Sequence, residues 1–450
     1  MTSNGWAKKY GCVKYGRVLN TLLTAVTTIL LAHLFTSPAF AGDASSAPVT
    51  FNKDILGILQ KNCQSCHRPG EIGPMPLLSY ENTRPWAKAI KAAVLSKKMP
   101  PWFADPAYGH FVNDRRMSDA DIRKIAAWVD AGAPEGEAKD KPAPVTWADG
   151  WNIRPDSVFQ MPDPFKIPAT GTLDYVYIVI PTGFPRDTWV TAAEVRPSNR
   201  AIVHHIVAVV RPPGSQWMKD AKPFVPYIPP DPFGGGSAEG SANDPQSNPV
   251  NNSFEFLAGY SPGMQPQRFD MDHSAKLIPA YSDIVLQVHY TPNGKSATED
   301  QTKIGLEFAK EPPQKRFYSA VAASGSWTIP PGDANYEGHA KLTFGEPVEF
   351  VFLQPHMHLR GKDMTIRLTY PTGESETLLS VPHYDFGWQV VYYLAKPLQL
   401  PAGTRVEVTA HWDNSANNPN NPDPKASVTY GLQSTDEMLS VAMGVIVDRD

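Results

Sequence analysis

The sequence predicts a mainly β chain with a small α domain on its N-terminal side. Short runs rich in Val, Ile, Tyr and Phe recur after residue 150, separated by turn residues such as Pro371-Thr372-Gly373, and such alternation marks strands. The chain holds 45 prolines in 450 residues, about twice the ordinary share of ~5%, which favours short strands over a helical bundle. Before residue 150 the apolar residues instead fall at helical spacing: Ile55, Ile58 and Leu59 in one stretch, Ile122, Ile125, Ala126 and Val129 in another.

The first element is read as a targeting segment. Lys8, Lys9, Lys14 and Arg17 form a basic region with no acidic residue before Asp43. An apolar run over residues 19–35 follows, then Ala39-Phe40-Ala41, an A-x-A cleavage pattern. Residues 1–41 are therefore expected to be a signal peptide, with the bulk periplasmic or otherwise exported. The alternative is an uncleaved membrane anchor, because the run is long for a signal core and short for a spanning helix. Without this segment the formal charge moves from −4 to −8, which gives no support for nucleic-acid binding.

The chain has three cysteines. Cys12 lies in the targeting segment, and the other two lie in Cys63-Gln64-Ser65-Cys66-His67. No cysteine remains for a disulfide, a blue-copper site or a thiolate zinc site. C-x-x-C-H is the attachment motif of c-type haem. Two thiols add to the haem vinyl groups and the adjacent histidine reaches the iron. The surroundings suit a small haem-wrapping domain over residues 48–137. Ser118-Asp119-Ala120-Asp121 resembles a capping box opening the last helix, and Gly132 and Pro134 stop it. A methionine thioether as sixth ligand suits electron transfer, and Met75, Met99 and Met117 are the candidates. Met99 is preferred, since Pro100 and Pro101 force extended chain and present a side chain rigidly. That stretch resembles the distal loop of class I cytochromes c. Residues 138–155 then read as a linker.

The β-rich remainder includes runs at 175–180, 201–210, 283–290, 348–353, 364–370 and 405–412. That spacing predicts sandwich or jelly-roll architecture. Residues 211–252, rich in Pro, Gly, Ser and Asn, read as a surface loop.

Histidines recur in a pattern across these runs. His204-His205 is followed 84 residues later by His289, and His356-Met357-His358 is followed 80 residues later by Met438. Each half has the size of one sandwich, giving expected domains at 156–311 and 312–450 with one metal apiece. His356 and His358 at i, i+2 share a strand face. His204 and His205 are neighbours that a regular strand points to opposite faces, so one metal there requires a bulge or strand end. Alone, either pair is weak; in parallel order they indicate metal. Imidazole suits copper, zinc, iron or nickel, and a thioether favours reduced copper. His110, His273, His339, His383 and His411 carry no such pattern and read as structural or surface residues.

In this order the residues resemble the type II copper, ascorbate-dependent monooxygenases, which include the peptidylglycine α-hydroxylating and dopamine β-monooxygenases. The resemblance covers residues 156–450 and rests on His204-His205, His289-Tyr290, His356-x-His358 and Met438. It implies two jelly-roll domains facing each other across a solvent cleft. His204, His205 and His289 would hold an electron-transfer copper, and His356, His358 and Met438 an oxygen-activating copper. With the N-terminal region, the chain looks like bacterial fusions of cytochrome c to this module. Three departures qualify it. The region lacks the disulfides of the animal enzymes. Gln354 and Ala442 stand where the peptide-amidating member has Arg and Tyr to grip a carboxylate. The fused cytochrome would replace ascorbate as donor. The implied reaction is hydroxylation of an activated C–H bond of a small organic substrate by O2, with one haem c and two coppers. The donor to the haem is not identified, and membrane contact would come only through an uncleaved anchor. The alternative is a haem and copper protein without hydroxylase activity.

Overall fold

In the computed structural model, which describes residues 48–147, 150–228 and 255–449, the helical part begins with a π-helical turn, Phe51–Ile55, that runs into the helix Leu56–Asn62. The expected signal segment, Cys12 and residues 229–252 of the expected surface loop lie outside the described residues. Phe51, Ile55, Leu56, Ile58 and Leu59 are buried, because they recur on one side of that turn and helix. The helix Ala87–Leu95 buries Ala87, Ile90 and Val94 for the same reason. The helix Asp119–Asp130 opens with Ser118 Oγ accepting from the Asp121 N–H at 3.1 Å. It buries Ile125 and Trp128. Trp128 lies against Phe51, ring centroids 6.0 Å apart, and its Nε1 donates to the Pro134 carbonyl. First and last helices thus close one small core. Among the described residues no helix is long and apolar enough to cross a membrane.

The remainder is strand. One long sheet runs in the order Ser157–Gln160, Lys303–Phe308, Thr188–Arg196, Ser274–Ile278, Lys315–Ser324, Leu439–Asp448, Val348–His356 and Tyr392–Leu400. Two four-stranded sheets accompany it. The first is Val176–Pro181, Asp283–Tyr290, Val203–Arg211 and Glu255–Tyr260; the second is Tyr336–Thr343, Arg405–Trp412, Gly361–Thr369 and Ser375–Val381. The chain is thus mainly β with a small helical N-terminal region. Residues 156–311 and 312–450 meet within the long sheet through a short parallel pairing of Lys315 and Arg316 with Ser274 and Ala275.

Side-chain alternation builds two cores on this sheet. Val190, Ala193, Ile304 and Leu306 pack with the first four-stranded sheet. Ala320, Ala322, Val441 and Val445 pack with the second. The strand Val348–His356 serves both: Phe350 belongs to the second core, while Val351 and Phe352 belong to the first, with a register slip between Phe350 and Phe352. That strand therefore ends, at His356, where the two cores adjoin.

The helical region is also tied to the β region. Trp102 is buried in the second core beside Tyr392, centroids 4.9 Å apart. Backbone bonds join Asp105 to Ser380, Val112 to Tyr393 and Ala395 to His110, and the Asn113 side chain bonds the backbone of Val391 and Tyr393. The stretch expected to be a linker is pinned as well: Gln60 Nε2 donates to the Ala143 carbonyl, and the Asn152 amide donates to Glu194.

Candidate metal centre

Strand geometry brings the expected histidines together. In the pairing of Val203–Arg211 with Asp283–Tyr290, His205 sits directly opposite His289. The register slips between Val203 and His205, so His204 occupies a bulge and turns to the same side as its neighbour. The ligand-capable nitrogens of His204, His205 and His289 lie within 4.8 Å of one another, and Nδ1 of His204 is 3.0 Å from Nδ1 of His205.

His356 is the last residue of its strand, opposite Ser440, and His358 lies just beyond. Their rings are 5.2 Å apart and nearly perpendicular. The turn is held from both sides. The Glu437 carboxylate accepts from the backbone N–H of His358 at 3.0 Å and of Arg360 at 2.6 Å, and from Trp412 Nε1 at 2.8 Å. The Tyr384 hydroxyl accepts from the Met357 N–H and donates to the Met357 carbonyl.

The two half-sites adjoin. The rings of His205 and His356 are 6.4 Å apart, whereas the resemblance implies a solvent cleft between them. The strand that ends at His356 packs into both cores, Leu353 into the second and Phe352 into the first, which sets His356 beside the first half-site. Phe386 stacks on His204 at 4.6 Å and lies 5.6 Å from His358. Tyr175 covers the other side, 4.7 Å from His289 and 5.5 Å from His205. Met438 packs with the apolar cluster that contains Tyr175 and Leu432. Phe386, Tyr175, Tyr384 and Glu437 carried no sequence signal of a role here, apart from Glu437 preceding Met438.

Burial lowers the proton affinity of every histidine in the cluster. It takes His204 and His356 to about 4 and His289 to about 3, and it holds His205 and His358 well below the usual imidazole range. The rings are therefore neutral at pH 7, the form that binds metal. Both ring nitrogens of His358 and Nδ1 of His289 are buried without a hydrogen-bond partner. Buried polar atoms are rarely left so. Five neutral imidazoles, two of them with ring nitrogens left unpartnered, fit a metal ion of the copper, zinc, iron or nickel class.

The other histidines lie elsewhere. His110, His273, His339 and His383 are exposed. His411 sits between Asp363, 2.6 Å from its Nδ1, and Glu337, 3.2 Å from its Nε2.

The haem segment is a tight loop. The helix Leu56–Asn62 ends at Cys63, whose carbonyl accepts from the N–H groups of Cys66 and His67. Neither cysteine forms a disulfide. His67 Nδ1 is 3.2 Å from the Met75 carbonyl, which leaves Nε2 to face an iron. Gly73 is required beside it: a methyl there would lie 2.7 Å from both the Cys66 carbonyl oxygen and His67 Nδ1. Met75 and Met117 pack against the helical core. Met99 is half-buried where the chain leaves the helices for Trp102, and its N–H reaches the Ala93 carbonyl at 3.3 Å.

No curated protein matches the chain. Among solved structures, Broad Bean Stain Virus is similar over 67% of this chain and 95% of that one, with 5% identity and a TM-score of 0.27. PNGF-II is similar over 65% of each chain, with 10% identity and a TM-score of 0.29. Likeness at that level carries no argument about fold or chemistry. The cytochrome c family model matches residues 57–132, the stretch that holds Cys63, Cys66, His67 and the closing helix. That part of the chain is a cytochrome c domain, built for covalent haem c and haem-mediated electron transfer.

Proposed function

We propose that the chain is a haem- and copper-containing monooxygenase that hydroxylates an activated C–H bond: R–H + O2 + 2 electrons + 2 protons give R–OH + H2O. The observation that carries this reading is the convergence of five neutral histidines, three buried and two half-buried, from two half-sites, in a chain that also bears a cytochrome c domain. His204, His205 and His289 would hold one copper, and His356, His358 and Met438 the other. Copper supplies one-electron redox chemistry and oxygen activation when bound. The chain's own residues do the rest. Glu437 and Tyr384 fix the turn that aims His356 and His358, while Phe386 and Tyr175 keep water from the imidazoles. Gln354 and Ala442 stand opposite each other in register and bring no charge to grip a substrate carboxylate, which favours a neutral organic substrate. Haem c would be held by Cys63, Cys66 and His67. Met75 presents its carbonyl to His67 and so lies on that ring's side, which argues against it as the ligand from the opposite side; Met99 would be that ligand.

The test is protein matured in a periplasm. Metal analysis should find two coppers per haem, and oxygen uptake should match hydroxylated product. One copper per chain or fewer sinks the two-site reading. A second reading, electron transfer or copper binding without hydroxylation, is favoured by the closeness of His205 and His356 and by Phe386 packed over the cluster. Copper in full with no coupled product would select it.

A further inference from the structure

We infer that the turn Asp385–Trp388 is the tunnelling bridge for electrons between the haem and the histidine cluster, with Trp388 on the Cys66 side and Phe386 on the His204 side and neither ring itself oxidised or reduced. This inference rests on the relay reading above and assigns its path. The turn is closed by its own hydrogen bond, Trp388 N–H to the Asp385 carbonyl at 3.0 Å, so its two aromatic rings are held two residues apart on one rigid unit. Phe386 is stacked on His204, centroids 4.6 Å apart and planes 29° apart. At the other end, Gly263 brings the haem loop close. A methyl on Gly263 would lie 3.6 Å from Cys66 Sγ and 3.9 Å from Cζ3 of Trp388, so the sulfur that would become the haem thioether and the indole edge flank the same glycine. Its φ of +78° suits glycine, and the atom a methyl there would crowd is Nη1 of Arg115, at 3.0 Å.

The approach is fastened on both sides. Arg115 Nη2 donates to the Gly263 carbonyl at 2.7 Å. Ser261 Oγ donates to the Gln389 carbonyl at 3.3 Å, and Gln354 Nε2, two residues before His356, donates to the same oxygen. The haem loop itself is tied to the first β unit by an ion pair of Glu71 with Arg200. These bonds join three parts of the chain distant in sequence at a place where aromatic rings lie between the cytochrome loop and the cluster. A stability role alone would be served as well by aliphatic packing. The step is simple in balance: one electron leaves ferrous haem, giving ferric haem, and one Cu(II) in the cluster becomes Cu(I), with no proton moved.

The test uses the full chain loaded with haem and copper, under anaerobic conditions. A light-driven reductant reduces the haem, and its reoxidation by oxidised copper is followed in the haem absorption bands. Trp388→Leu should slow reoxidation several-fold, with haem spectrum, haem potential and copper content unchanged. Trp388→Phe should keep most of the rate. Should the leucine variant not hold its cofactors, Trp388→Met, which keeps volume without a ring, takes its place. Trp86→Leu, on the exposed helical turn Arg84–Trp86, should leave the rate alone. A Trp388→Leu rate equal to that of the unaltered protein overturns the conduit and leaves the relay standing. An unaltered protein whose haem is not reoxidised at all, with copper present in full, overturns both.

Discussion

Burial raises the Glu437 carboxyl to about 7, against the pull of four N–H groups that donate to it, those of Arg360, His358, Met438 and the Trp412 indole. Removing the side chain would leave those donors buried without a partner. Glu437→Ala should therefore cost about 3 kcal/mol or more, read as a lower denaturation midpoint. It should also weaken copper binding by roughly tenfold or more, the usual effect of losing a group that orients metal ligands. Copper affinity unchanged in a destabilised variant would mean that Glu437 serves the fold alone. The haem ligand is also a single-residue question. Met99→His should lower the haem potential without loss of attachment, because nitrogen replaces a thioether while Cys63 and Cys66 stay. An unchanged reduced spectrum and potential would transfer the role to Met117 or Met75.

Adjacent residues on a regular strand face opposite ways, and for that reason the His204-His205 pair already demanded an irregularity; the slip between Val203 and His205 is that irregularity. The first and last helices were legible for an equally local reason: Ser118 and the i, i+3, i+4 apolar residues define the closing helix before any fold is known, whereas the helix Ala87–Leu95 was not read from the sequence. The cysteine motif is contiguous and needs no fold to be read. What sequence did not carry is long-range. Nothing in residues 384–390 marks Phe386 as the residue that covers His204, and nothing in residue 175 marks a ring edge against His289. The closeness of the half-sites was hidden as well, since it depends on which core Phe352 enters. The partition between half-sites is testable at this scale. His289→Ala, in the strand Asp283–Tyr290, should lose the copper of the first half-site. Met438→Ala, just before the strand Leu439–Asp448, should weaken Cu(I) in the second. Rapid mixing of each reduced variant with oxygen, following haem and copper spectra, distinguishes them; loss of the same copper from both would end the two-half-site assignment.

Across the molecule, the buried histidines make the metal-free protein sensitive to acid. Their folded affinities, about 4 for His204 and His356 and about 3 for His289, lie below the unfolded value of ~6.5. As pH falls through that window the unfolded chain takes up protons that the folded chain refuses, so stability falls. Glu437 acts the other way between its ordinary 4.5 and about 7, but it is one group against five. Chelated protein should thus denature more readily at about pH 5 than at about pH 7.5, as read from denaturant midpoints; equal midpoints would mean that the rings are not buried neutral. Copper should suppress the difference, since a bound ion competes with protons for the same nitrogens. Haem domain and histidine cluster share one folded unit through Trp102, Asn113 and Gly263, and in the proposed enzyme they also share electrons. The most direct measurement is an anaerobic reductive titration of the fully oxidised, metal-loaded chain, counting electrons per haem. One haem and two coppers in communication predict three electrons, with haem and copper signals changing together. Uptake of a single electron, confined to the haem bands, would contradict the proposed enzyme at its centre.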